Sequence, residues 1–213
     1  HSIRMPRHAI ARVAVVAIIA VFIFPMRAYA AHGTHVVIAE IQVGGATARD
    51  EFIEIYNPTA NSVAFEGWRL AKRTASGNES NLVTAFPALA IPAHGSLLVA
   101  HPDGVFSGSA DQRYTPQESI ANDNAVVLYG PLRDGVRPVV DLVGWGTAAA
   151  REGSAASNPP TGQSLERKPG GGEGDAQDTG DNAADFVIRA QPSPQGTSAA
   201  PRPAVPSADA GTT

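Results

Sequence analysis

From His35 to about Phe186 the chain is written in short apolar runs, each stopped by Gly, Pro, Asn or Asp. "HVVIAEIQV" (35–43) ends at Gly44-Gly45, and "EFIEIY" (51–56) ends at Asn57-Pro58. "VAFEGWRL" (63–70), "SLLVAH" (96–101), "NAVVLYG" (124–130) and "VVDLVGWG" (139–146) follow, with "QSLERK" (163–168) as a weaker run. Runs this short, rich in Val, Ile, Leu and aromatics between turn residues, are strands. No stretch of about 10–15 residues carries an apolar period of 3.6, so helices are not expected. Many short strands without helices predict an all-β, antiparallel β-sandwich.

The first 30 residues read differently. Arg4, Arg7 and Arg12 precede an apolar run from Val13 to Phe24, and Ala28-Tyr29-Ala30 follows. A basic start, a short apolar stretch and a small-x-small site predict a cleaved secretory signal over 1–30. The run is shorter than the roughly 20 residues a spanning helix needs, so no stable membrane anchor is expected. The expected location is therefore periplasmic or extracellular. Residues 31–196 read as the sandwich domain. Residues 197–213, rich in Pro, Ala and Ser, read as a disordered tail, because they cannot bury enough surface to offset their ordering entropy.

Removing the signal changes the charge. Four of the 16 Lys and Arg lie in the first 30 residues and none of the 20 Asp and Glu do, leaving 12 basic against 20 acidic residues, or −8. That balance argues against nucleic acid, whose affinity comes mainly from phosphate neutralisation. The chain has no Cys, which removes thiol catalysis and thiolate metal sites and leaves an exported domain to be held by its core.

The blocks "DEFIEIYNPT", "VAFEGWRL", "IPAHGSLLVA", "VVDLVGWG", "SLERK", "DTGDNAADF" and "PSPQG" follow in an order and spacing that resembles the lamin tail domain in its bacterial, exported form, across about residues 35–196. The resemblance implies an immunoglobulin-like β-sandwich and a binding or tethering role. In nuclear lamins such a domain contacts other proteins, and in bacteria it occurs on exported proteins, often beside hydrolase or nuclease domains. It brings no catalytic residues, so none are carried over. The expected partner is an unidentified protein or envelope component, engaged through a sheet edge or the long loops 102–123, 147–162 and 169–184.

Glu54 sits among Phe52, Ile53, Ile55 and Tyr56, and Glu40 has a similar setting in the preceding strand. Two carboxylates on neighbouring strands are the raw material of acid/base chemistry. The commoner reading of such acids is hydrogen bonding to backbone and Arg, and for Glu54 it predicts a nearby Arg or N–H in place of an open pocket. The alternative to a binding module is a small exported, metal-assisted hydrolase or nuclease, or an accessory subunit of one. It requires at least three of Glu40, Glu54 and the 173–185 acids to converge in a pocket.

The acidic loop "EGDAQDTGDNAADF" suggests a structural calcium, with Asp178, Asp181, Asn182 and Asp185 as candidate ligands, because hard cations take oxygen donors. Its spacing is not that of a calcium loop, and Asp and Asn also cap turns. His94 and His101 are seven apart and on a regular strand face opposite ways, more than about 20 Å apart, so they cannot share a metal. His32 and His35 flank the expected new terminus, where the amine and an imidazole bind copper or nickel weakly; a flexible end is the plainer reading. Ser96 and Ser154 lack the setting of a nucleophile. Trp68 and Trp145 read as core in preference to sugar platforms. Asn78-Glu79-Ser80 matches a glycosylation sequon.

Overall fold

The computed structural model describes residues 34–169 and 174–202. The signal sequence expected over 1–30, His32, Glu173 and residues 203–213 lie outside them. Among the described residues, no helix is long and apolar enough to cross a membrane.

Among the described residues the strands run in chain order as β1 (Val37–Val43), β2 (Glu51–Tyr56), β3 (Val63–Ala64), β4 (Arg69–Arg73), β5 (Glu79–Val83), β6 (Ala90–Ile91), β7 (Ser96–Ala100), β8 (Gln112–Arg113), β9 (Ala125–Tyr129), β10 (Val139–Gly144), β11 (Ser164–Arg167) and β12 (Phe186–Arg189). A 3-10 turn at Val105–Gly108 and one short helix, α1 (Asn182–Asp185), interrupt them. The strands form a six-stranded sheet of order β12-β11-β1-β2-β7-β8, a four-stranded sheet of order β10-β9-β4-β5, and a two-stranded ribbon β3-β6. All pairs are antiparallel except β7–β8. The fold is the antiparallel β-sandwich expected from the runs, of the immunoglobulin-like kind the resemblance implies. The run 63–70 divides between β3 and β4, and the polar β5, the short β6 and β8, and β12 had no quoted run to announce them.

The alternation of side chains across each strand sorts the core. Ile38, Ile41, Ile53, Ile55, Leu97, Val99 and Leu165 of the larger sheet face Leu70, Leu82, Val126, Leu128 and Val143 of the smaller one. Trp145 is fully buried in this layer, and Trp68 stacks on Phe65 with ring centroids 4.4 Å apart. Both Trp are therefore core residues.

The larger sheet differs from a simple sandwich sheet in its outer face. An antiparallel sheet often leaves one face in water, yet β2, β7 and β11 are buried along their whole length. Phe106 of the 3-10 turn packs edge-on to Phe52 at 4.8 Å, and Ala176 covers Val37, Ala39 and Tyr56. A bulge between Ile38 and Glu40 shifts the alternation, so Ala39 joins the outer face beside Glu40 when simple alternation would put it opposite.

The long connections are held by buried acids. Glu51 accepts from Tyr114 and Ser119 and from the Ile120 N–H, which fixes residues 102–123. Asp50 accepts the Val105 N–H at 3.0 Å. At Gly104 the chain crosses so close to Arg49 that a Cβ would meet its carbonyl oxygen at 1.9 Å, which admits only glycine.

Candidate functional site

The outer face of the larger sheet carries a row of glutamates. Glu40 on β1 is the direct cross-strand partner of Glu54 on β2 and of Glu166 on β11. Like charges placed directly opposite repel, so such a row persists only with counterions and hydrogen bonds. All three are buried.

Those partners come from the C-terminal segment. Residues 193–202 cross the strands as a strap. The Ser193 N–H donates to Glu40 at 3.2 Å, the Gln195 N–H to Glu54 at 2.7 Å, and the Thr197 N–H to Asp111 at 3.0 Å. Every second amide thus meets the next acid across the sheet, as an extended chain allows. Arg202 closes the row. Its Nη2 donates to Glu54 at 2.9 Å, its Nη1 contacts Asp175, and its guanidinium lies 5.5 Å from the Tyr56 ring centroid. Its own N–H donates to the His94 carbonyl at 2.8 Å. Arg189 pairs with Glu166.

This corrects the tail reading. Residues 197–202 pack against the sheet, and Arg202 is only 7 % exposed. The composition of the segment was read correctly as poor in large apolar groups. It is ordered because buried carboxylates bind its amides and its one guanidinium.

Burial pushes Glu54 up to about 7, with Arg202, the Ser96 hydroxyl and the Gln195 N–H pulling the other way. Burial likewise raises Glu40, opposed first by the Ser164 hydroxyl that donates to it. Desolvation of a charged oxygen outweighs the nearby cation at both. Among the buried atoms here without a hydrogen-bond partner among the described residues are Glu40 Oε2 and the Tyr56 hydroxyl.

The acids of the 174–185 loop serve a second buried centre. Arg167, fully buried, donates to Asp141 at 2.7 Å, to the Ile38 carbonyl at 2.8 Å and to the Gln177 carbonyl at 2.8 Å, and lies 4.7 Å from the Phe186 ring centroid. Asp141 also accepts the Ile38 N–H at 2.6 Å. The β1–β11 ladder spans only Glu40–Gln42, so the peptide groups of Ile38 turn to this ion pair, which ties β10 of one sheet to β1 and β11 of the other. Burial raises Asp141, with Arg167 as the leading opposing influence.

The calcium candidates divide among other tasks. Asp178 and Asp185 each lie 3.9 Å from Arg167, and Asp185 also accepts from Thr179. Asp181 caps α1 by accepting the Ala183 and Ala184 N–H groups. Asn182 accepts from the Gly144 N–H at 2.8 Å and donates to the Leu142 carbonyl at 3.0 Å, which closes that edge of β10. Among the described residues, no three His, Asp or Glu side chains converge as a metal site. His35 sits 3.5 Å from Asp178. His101 is buried, with Nδ1 accepting the Asp103 N–H, whereas His94 supplies a carbonyl to Arg202. Ser96 is spent on Glu54 at 2.7 Å. Asn78 is exposed.

Glu40 and Glu54 were therefore paired correctly from sequence, and Glu54 has the Arg and the N–H expected of it. Asp175 of the acidic loop joins them through Arg202. Glu166, Arg189 and Arg202 were missed. The alternation of Ser164 and Glu166 beside Gln42 and Glu40 was a usable signal for the first, but nothing in "SAAPRP" singled out Arg202.

The Lamin Tail Domain family profile matches residues 30–147. The chain is also similar to the crystal structure of a DUF4876 family protein from Bacteroides thetaiotaomicron VPI-5482. The TM-score is 0.55 at 15 % identity, covering 72 % of this chain and 70 % of that one. A likeness at this identity establishes the fold alone. No curated protein matches. Glu40 and Glu54 lie inside the family span, whereas Glu166, Asp175 and Arg202 lie beyond it.

Proposed function

The chain belongs to the lamin tail domain family, and from that premise we propose that it is a non-catalytic, exported binding module that tethers a protein partner at the cell envelope or outside the cell. The family is one of non-enzymatic immunoglobulin-like domains. The observation that carries the reading is how the polar residues are used. Glu40 and Glu54 are covered by the strap, Glu51 is taken up by the 102–123 loop, and Asp185 faces Arg167. The hydrolase reading required acids converging in an open pocket, and the glutamate row is instead closed beneath residues 193–202.

Binding falls to the free edges and loops. Asn182 closes the edge of β10, whereas β12 ends the larger sheet with Val187 45 % exposed. A partner strand added there would extend the sheet through main-chain hydrogen bonds. The leader read from residues 1–30 supports export, and the excess of acid supports a protein partner over nucleic acid.

The test is capture from envelope extract by the full chain, compared with V187K, which puts a charge on the edge. Capture by the native chain that weakens at least tenfold in V187K is expected. Capture no better than that of an unrelated exported domain would sink the reading. Sequencing the N-terminus of secreted protein should return Ala31, and an uncleaved start would overturn the export step.

A further inference from the structure

The strap over the larger sheet's outer face is held mainly by polar contacts. Its residues are Ser, Pro, Gln, Gly, Thr, Ser, Ala, Ala, Pro and Arg, with no large apolar side chain. Its anchors are the amides of Ser193, Gln195 and Thr197 on three acids, and Arg202 between Glu54 and Asp175. The strands beneath are buried on both faces. A segment with few apolar contacts opens at lower free energy than the sheet it lies on.

We propose that the acid-lined groove across β1, β2 and β7 is a recognition site for an extended, arginine-bearing peptide, and that residues 193–202 are its resident, displaceable occupant. The seat defines the ligand chemistry. Glu40 on β1, Glu54 on β2 and Asp111 beside β7 accept every second N–H of an extended chain, so the ligand needs free amides at alternating positions. Pro194 fits because it falls between Ser193 and Gln195, where no N–H is called for. A guanidinium then fills the slot between Glu54 and Asp175 over Tyr56, where planar donors and ring stacking favour Arg over Lys.

Charge complementarity points the same way. The carboxyl groups the strap covers, Glu40, Glu54, Asp111 and Asp175, meet one guanidinium, that of Arg202, so acids outnumber cations and a cationic ligand is favoured. Glu40 Oε2 and the Tyr56 hydroxyl, both fully buried and unpartnered among the described residues, leave hydrogen-bonding capacity that the resident segment does not use. A peptide with a further donor beside the arginine would use it.

The proposal names the partner class of the binding module and rests on that reading. The experiment uses the full chain, native and R202A, with a fluorescent peptide of sequence QPSPQGTSAAPR and its counterpart with Ala in place of Arg. R202A weakens the resident occupant and leaves the acids in place. The arginine peptide is expected to bind R202A at least tenfold more tightly than the native chain, whose groove is filled, and the alanine peptide is expected not to bind. A folded R202A that ignores the arginine peptide, or binds both peptides equally, overturns the proposal. If R202A does not fold, hydrogen exchange of the native chain decides. The Ser193, Gln195 and Thr197 amides should exchange at least about 100-fold faster than those of Ile53 and Ile55, and equal rates overturn the proposal. Val187 is the cross-strand neighbour of Glu166 and lies outside the strap's own anchors, Glu40, Glu54, Asp111 and Asp175, so V187K tests the β12 edge with those anchors unchanged. Failed peptide binding therefore overturns this proposal alone, and failed capture with peptide binding intact overturns the edge reading alone.

Discussion

Glu54→Gln isolates the cost of holding a carboxylate in the glutamate row. The side chain is fully buried, and its pKa rises from 4.5 to about 7. At 1.36 kcal/mol per pH unit, that rise corresponds to about 3 kcal/mol. The folded protein binds the Glu54 proton more tightly than the unfolded chain does. Its stabilising contribution is therefore fully present below pH 4.5 and is lost as pH rises through about 7. Gln does not titrate. The stability of the native chain relative to E54Q should fall by about 3 kcal/mol between pH 4.5 and 8, with most of the slope between 4.5 and 7. Urea unfolding at pH 4.5, 5.5, 6.5, 7.5 and 8 measures the difference, provided m stays constant. Glu152, which burial also pushes up to about 7, is present in both proteins and cancels. A flat difference would show that Glu54 titrates alike in the folded and unfolded chain. A difference of opposite sign would show that the Arg202 guanidinium outweighs desolvation, and either result refutes the reasoning.

Other predictions concern the second buried centre and the loops. Arg167→Ala leaves Asp141 without its cation and two carbonyls without a donor, and should cost about 3–5 kcal/mol in urea unfolding; a loss under 1 kcal/mol would remove the pair from its place as the tie between sheets. Gly104→Ala drives a Cβ into the Arg49 backbone oxygen, which no side-chain rotation relieves. It should cost about 1–3 kcal/mol, a fall in Tm of several degrees by calorimetry, and an unchanged Tm would refute the close crossing. Because Asp178 and Asp185 face Arg167 and Asp181 caps α1, a chelator should leave Tm unchanged; a fall of more than about 2 °C that calcium reverses would assign the loop a cation.

Local signals carried the strand assignments. "EFIEIY" and "NAVVLYG" announced their strands because an apolar run ending at a turn residue is a local property of the chain. Glu40 and Glu54 could be seen as neighbours because the two strands are separated by a short polar turn. Beyond that the signal fails. β5 was hidden because its exposed face is polar, with Glu79 paired to Arg73. The acidic loop looked like a cation site because its carboxylates are close in sequence, while Arg167, whose charge they share, lies on a separate strand.

What the sequence determined by itself was the class of fold, since period-two patterning and turn residues act within a few positions. The absence of cysteine likewise confined the chain to chemistry without thiols. Only the tertiary structure decided the meaning of the acids and of the C-terminal segment. Glu54 and Arg202 are 148 residues apart, and neither carries a local mark of the other. Their pairing arises when β11, β1 and β2 align three glutamates on one face. An isolated buried charge is too costly to leave unpaired, so a segment that cannot order itself by burying apolar surface is ordered by the carboxylates it covers.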